Sequence, residues 1–454
     1  MKYPLLKILP LFLGGILFSQ NQKDSVQFKN ISDEILVNGT AYENLSDLTQ
    51  NIGHRLSGSA AYEKATDWAV LKLKEAGADK VWKEDVMVPV WERGKESLQI
   101  KEPNGKWKSL RMLSLGNSEG TKGKDVEAEI VFVKNKEDFD QLPDAAVKGK
   151  IIFFNYAFNQ KFISTGQAYG DAGKYRRSAA SWAGKRGAKA VIIRSLSSAL
   201  DDVPHTGMMR YDADDTAKIP AVAIGPKSAD ELQKTLKSKK VFAKLNSNCT
   251  MKGEKLSHTV IGEITGKKDQ NVIVVSGHLD SWDVGEGAQD DGAGIVQSIE
   301  VLRTFKSLGL KNNHTLRVVC FANEENGVKG GNTYAENIKK NNEKHLFAIE
   351  SDGGGFTPRG IALVMSPEKR TQIQSWKNLF LPYGVHNLEM QYAGTDIEPM
   401  KEFGVPLAEL VPDSQRYFDI HHSDEDTFDK VNRRELLLGS VVMSQLIYMI
   451  DKNW

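Results

Sequence analysis

Cysteine is nearly absent from this chain. Cys249 and Cys320 are the only two in 454 residues. No CxxC pair exists, which excludes a thiolate metal site of the zinc-ribbon kind. Cys320 sits in the apolar run LRVVCFAN and is expected to be buried. Cys249 lies near an expected domain edge, and nothing in the sequence pairs the two. An excess of one charge is missing as well: 60 basic residues face 59 acidic ones, a formal net charge of +1. With no basic stripe interleaved with aromatics, nucleic acid is not the expected partner. Past the N-terminus no apolar run approaches the ~20 residues that a spanning helix needs. Internal repeats and low-complexity tracts are absent too.

The N-terminus is the exception. In MKYPLLKILPLFLGGILFSQ, Lys2 and Lys7 precede an apolar run that reaches Phe18. This pattern reads as a secretory signal, residues 1–20, cleaved near Ser19 or Gln20. Pro10 and the shortness of the run argue against an uncleaved anchor, and no cysteine follows to carry a lipid. An exported protein is expected, periplasmic or extracellular, with no membrane span left after cleavage.

At this length the chain can bury a large core and form two or three domains. The apolar content of 40% and charged content of 26% are those of an ordinary globular protein. Short apolar runs alternate with helical patterns, which points to an α/β fold with a mixed, largely parallel central sheet flanked by helices. Tyr62–Ala76 reads as a helix, entered through the turn Ile52–Ser59, where His54 is a loop residue. The stretch Gly116–Lys124, rich in Gly, Ser and Lys, marks a change of texture. Between it and Cys249 lies a block with its own short strands and helices and no clustering of acids. The expected division is residues 21–123 as the first part of the main domain, 124–250 as an inserted α/β domain, and 251–454 as the remainder. His205, in the loop Pro204–Gly207 of the insert, has no assigned role.

The chemistry gathers around Asn271–Gly294. The run Val272–Val275 reads as a buried strand, which leads into Gly277-His278-Leu279-Asp280. A Gly- and Asp-rich loop follows, then Asp290-Asp291-Gly292 and a helical pattern through Ile295, Ile299, Leu302 and Phe305. Two further strands end in acids. Leu316–Phe321 runs into Asn323-Glu324-Glu325-Asn326, and Leu346–Ile349 into Glu350-Ser351-Asp352-Gly353. After a fourth and a fifth strand, Gly360–Met365 and Ala408–Val411, a late loop holds His421-His422-Ser423-Asp424. Parallel strands line their carboxyl ends along one edge of a sheet. His278, Asp290, Glu324, Glu325, Asp352 and one of His421 or His422 can therefore converge. Like charges ~4 Å apart repel by ~4 kcal/mol at an effective dielectric near 20, so such a cluster needs protons or cations. Two imidazoles with several carboxylates suit zinc, and two ions better than one.

These motifs resemble those of the co-catalytic zinc exopeptidases, the family of bacterial aminopeptidases and glutamate carboxypeptidases. Gly277–Gly294 looks most like the carboxypeptidase Q branch along its whole length. Pro204-His205-Thr206-Gly207, Tyr211 and Ile219-Pro220-Ala221 resemble a protease-associated domain of that branch. The resemblance implies a zinc exopeptidase acting on dipeptides or short peptides, with two Zn2+ per chain. It implies His278 and Asp352 on one ion, Glu325 and His422 on the other, and Asp290 bridging them. His422 is preferred to His421 because Ser423 and Asp426 fit the family's pattern after the last ligand. Asp280 would support His278, and Glu324 would be the general base. Tyr417 is a candidate oxyanion donor, and Thr395 and Asp396 belong to a substrate-side loop. An aminopeptidase of the same family is the runner-up. A single-zinc glutaminyl cyclase or a non-enzymatic binding protein on this fold would be expected to lack some of these residues, and all are filled. Polarity towards the amino or carboxyl end of the peptide is not legible, nor is the choice between monomer and homodimer.

Overall fold

The computed structural model describes residues 9–102 and 104–454, with side chains from Gln22 onward; the expected signal, residues 1–20, lies outside the fully described residues. Two sheets carry the architecture. The first has seven strands, in the order Lys80–Glu92, Thr250–Ile264, Thr315–Phe321, Val272–His278, His345–Glu350, Leu407–Pro412 and Pro358–Val364. From Thr315–Phe321 through Leu407–Pro412 the neighbours run parallel, and antiparallel strands close both sides. The expected mixed, largely parallel sheet is thus present.

The apolar runs are continuous because these strands are covered on both faces. Ile273 and Val275 pack into one core beneath the helices Ala293–Ser307 and Arg433–Asn453. Val272 and Val274 point the other way, towards the helix Lys329–Asn341. The helix Leu9–Asn38 precedes the first sheet, and its Phe28, Ile31 and Ile35 are buried in the main core. Their spacing places them on one side of a helix, but Lys29, Asp33 and Glu34 between them mask the pattern.

The second sheet has eight strands and includes Glu96–Lys101, Trp107–Leu110 and Met112–Ser114. These three precede residue 124, so the second unit takes its chain from Glu96 and not from the texture change. The reason is topological. Glu96–Lys101 pairs with Phe242–Ser247, and Met112–Ser114 pairs with Ala221–Ile224, two partners far along the chain. Both cysteines are buried and unpaired, Cys320 in the main core and Cys249 against Trp91 and Trp282. Among the described residues, no helix is long and apolar enough to cross a membrane.

Candidate active site

The strand Val272–His278 delivers His278, fully buried, to the carboxyl edge of the first sheet. The His278 Nδ1 lies 3.0 Å from the Asp280 carbonyl oxygen and 3.7 Å from the nearer oxygen of its carboxylate. A carbonyl only accepts, so Nδ1 carries the proton and the Nε2 lone pair faces forward. Nε2 lies 3.1 Å from Asp290 Oδ1 and 3.3 Å from Asp352 Oδ1. The ring is therefore oriented by the backbone of Asp280. The Asp280 carboxylate accepts the backbone N–H groups of Glu324 and Glu325, at 3.1 and 3.3 Å.

The other oxygen of Asp290 faces a second group. Its Oδ2 is 3.2 Å from His422 Nε2, which is also 3.2 Å from Glu325 Oε2. Asp290 Oδ2 is buried and accepts no hydrogen bond. His421 Nε2 stands further off, 3.7 Å from Asp290, and its ring stacks on His422 with centroids 3.5 Å apart. The donor atoms of His278, Asp290 and Asp352 lie within 4.8 Å of one another, as do those of Asp290, His421 and His422. Two donor groups thus meet at Asp290, and their mixed N/O composition fits divalent transition ions.

The loop that carries Asp290 is tied down from several directions. Asp426 accepts the backbone N–H groups of Gln289 and Asp290, at 2.7 and 3.1 Å. Asp291 accepts from His278 N at 3.0 Å and from Gly294 N at 2.9 Å, joining the strand end to the helix start. A Cβ on Gly294 would stand 1.9 Å from the Ser351 carbonyl, so only glycine lets the helix approach the neighbouring strand. Arg55 is completely buried and donates to the carbonyls of Leu279, Glu286 and Gly287 at 2.6 to 3.0 Å. Trp282 donates its backbone N–H to Glu325 Oε1 at 3.1 Å, leaving Oε2 to face His422. A small cavity opens between Trp282, Asp290, Glu325 and His422.

The electrostatics show how unbalanced this cluster is on its own. Burial would depress the His278 imidazole, but the facing carboxylates of Asp352, Asp280 and Asp290 hold it well above its usual range. Burial pushes Glu324 up to about 8, aided by the charges of Asp352, Asp290 and Asp280. Burial likewise raises Glu325 and Asp352, each with help from Asp290. A cation held among these groups would reverse the balance and favour every ionised carboxylate.

Of the expected site residues, His278, Asp290, Glu325, Asp352 and His422 share this cluster, with Glu324 and Asp280 beside it. Tyr417 is buried with its ring 5.0 Å from that of His421. The remaining pair separates: Thr395 is exposed, whereas Asp396 is fully buried and its backbone N–H donates to Glu350 at 3.4 Å. Arg55 and Trp282 were not anticipated; their roles are backbone hydrogen bonds across more than 40 residues of sequence, which leave no local signal. His205 also proves structural, with its Nδ1 2.6 Å from the His421 carbonyl.

Comparison with known proteins agrees with this geometry. Residues 259–446 match Peptidase family M28. Carboxypeptidase Q of Xenopus laevis is 35% identical over 442 residues, which cover 95% of this chain and 92% of the relative. The crystal structure of a Peptidase M28 precursor from Shewanella amazonensis SB2B superposes with a TM-score of 0.89 at 33% identity, covering 95% of this chain and 97% of that one. BSAP, a zinc aminopeptidase from Bacillus subtilis, shares the fold at a TM-score of 0.62 and 19% identity, over 89% of this chain and 93% of its own. The matched segment holds every member of the cluster from His278 to His422, and the chain belongs to peptidase family M28, as a metallopeptidase similar to carboxypeptidase Q.

Proposed function

We propose that this chain is an exported zinc exopeptidase that binds two ions and hydrolyses dipeptides or short peptides. The observation that carries the reading is the position of Asp290, whose Oδ1 faces His278 and whose Oδ2 faces His422. His278 and Asp352 would hold one ion, Glu325 and His422 the other, and Asp290 would join them. Such a pair, when bound, polarises a peptide carbonyl and acidifies a water.

The chain's own residues do the rest. Glu324 accepts the water proton and passes it to the leaving amine, a contribution of ~10²–10⁴-fold for positioned acid–base groups. Asp280 keeps Glu324 and Glu325 in place through their backbone N–H groups. Adjacent acids on one turn thereby take different tasks, one ligating and one shuttling. Trp282 and Asp426 hold Glu325 and Asp290 from behind. Tyr417, buried beside His421, is the assigned donor to the tetrahedral oxyanion. The eight-stranded unit is read as a protease-associated domain, on the strength of Pro204–Gly207 and Ile219–Ala221.

Elemental analysis of the purified protein tests the reading. Two zinc ions per chain are expected, with turnover of unblocked dipeptides lost on chelation and restored by zinc. One ion per chain, or turnover indifferent to chelation, would remove the two-ion assignment.

A further inference from the structure

The two expected metal positions are supported unequally. Among the described residues, the groups that hydrogen-bond His278 are Asp280, Asp290 and Asp291, all of the unit built on the seven-stranded sheet. Among the same residues, the side chain within ion-pair distance of Asp352 is His278 itself. Glu325 and His422 differ. One stands on a turn and the other on a loop, and both are gripped from the eight-stranded unit.

The grip on the turn is a pair of amides. Asn117 Nδ2 donates to the Asn326 carbonyl at 3.1 Å, and Asn326 Nδ2 donates to Asn117 Oδ1 at 3.2 Å. Asn326 follows Glu325 directly, and its Oδ1 accepts from Asn323 Nδ2, which closes the turn around Glu324-Glu325. The grip on the loop is a pair of bonds to carbonyls. The Thr206 N–H donates to the His422 carbonyl at 2.8 Å, and His205 Nδ1 donates to the His421 carbonyl at 2.6 Å. His422 has φ +61°, a left-handed conformation that a residue with a Cβ takes only at a cost. The two bonds fix the peptide planes on both sides of its Cα, and so fix both of its backbone torsions.

Both grips come from one ribbon. The Gly116 N–H donates to the Gly207 carbonyl at 3.0 Å and the Met209 N–H to the Gly116 carbonyl at 2.9 Å, which ties Asn117 to the segment 204–209. Glycines let the ribbon press against the site. A Cβ on Gly116 would fall 1.8 Å from the Trp282 indole, and one on Gly207, φ +127°, 2.6 Å from His422 Nδ1. Trp282 in turn is the residue whose backbone N–H holds Glu325 Oε1.

We infer that the eight-stranded unit sets the affinity of one metal position and not of the other, with Asn117, His205 and Thr206 as positioning residues for Glu325 and His422. The seven-stranded unit forms the His278–Asp352 position by itself. Docking of the second unit completes the Glu325–His422 position. Residues that hold ligands in ligating geometry typically contribute 10–100-fold to metal affinity. The inference rests on the two-ion reading and adds to it an unequal dependence on the second unit.

The test is zinc binding by the full chain against chelator-buffered free zinc, with ions per chain read by elemental analysis. Wild type, Asn117→Ala, His205→Ala and the two combined are compared. In the combined variant one ion is expected to keep its wild-type affinity and the other to bind about 10–100-fold more weakly. Over a window of free zinc the variant then holds one ion where the wild type holds two. His205→Asn, which keeps a donor for the His421 carbonyl, should recover part of the loss. A His422→Ala background identifies the position: there the combined substitutions should leave the affinity of the remaining ion unchanged. Equal weakening of both ions, weakening of neither, or weakening of the remaining ion in the His422→Ala background would overturn the proposal. If the combined variant does not fold, Asn117→Ala, at a half-buried position, decides by the same split. A wild type that takes up only one ion at every zinc level defeats the two-ion reading instead, and this inference with it.

Discussion

Each of the two sheets runs four neighbouring parallel strands, and each sends alternate side chains into two cores. Their carboxyl edges part company. In the seven-stranded sheet the strands lead into His278, Glu324-Glu325 and Asp352, acids with few protein cations to answer them. In the eight-stranded sheet the corresponding ends are Asn155 and Arg194, which meet each other at 3.2 Å, and Arg194 also meets Asp230 at 2.6 Å. One edge pairs its strand-end charge with an acid of the same unit and the other does not. The same architecture therefore carries a scaffold in one half and the candidate active site in the other. What separates them is whether the charges at the strand ends find partners within the chain.

The comparison would break first at Glu324. Glu324→Gln is expected to lower kcat by ~10²–10⁴-fold while zinc content survives. Steady-state assays beside metal analysis check this, and near-normal turnover would show that the acids at this edge are structural, like those of the other sheet. The next largest effect falls on Arg55, the cation behind the acid edge, whose charge faces Asp426, Asp280, Asp291 and Glu325. Arg55→Met should destabilise the fold by about 3–5 kcal/mol, as loss of a buried charge partner does, and urea unfolding measures it.

A smaller effect sits where the two units touch. Burial pushes His205 down to about 4 in the folded protein. The unfolded chain therefore takes up the proton first as pH falls below about 6.5. The stability that His205 supplies is complete above that pH and lost on the way to pH 4, by at most about 3 kcal/mol. Unfolding curves at pH 7 and 4.5 for wild type and His205→Asn should converge if this is right, the variant showing the shallower acid limb. The smallest effect is expected at Arg111–Asp424, an exposed ion pair between the units. Asp424→Asn should change stability by no more than about 0.5 kcal/mol. A loss several times larger would mean that the units depend on surface charge more than on the buried contact of His205 with His421.

Much of the acid-rich edge is legible in the sequence because its signal is local. Val272–His278, Thr315–Phe321 and His345–Glu350 are apolar runs that stop abruptly at acids or a histidine, and strand polarity then brings distant positions together. The supporting residues left no such trace. Arg55 sits in a turn and Trp282 in a loop, and each acts through partners more than 40 positions away. Asp280 shows the same limit at closer range, since its carboxylate serves Glu324 and Glu325 while its backbone orients His278. The reach of the second sheet ahead of residue 124 leaves no local trace for a related reason. Which sheet Glu96–Lys101 joins is settled by its pairing with Phe242–Ser247, and no local pattern records that choice.

Cys320 and Cys249 lie in separate cores, and burial pushes the Cys320 thiol up to about 12 and raises that of Cys249 as well. Neither forms appreciable thiolate at neutral pH, so neither is a ready target for oxidants or for disulfide exchange. The folded protein thus has no disulfide between its two cysteines to acquire. Produced in a glutathione-rich cytosol, it should reach the same fold and the same specific activity as material made in an oxidising compartment.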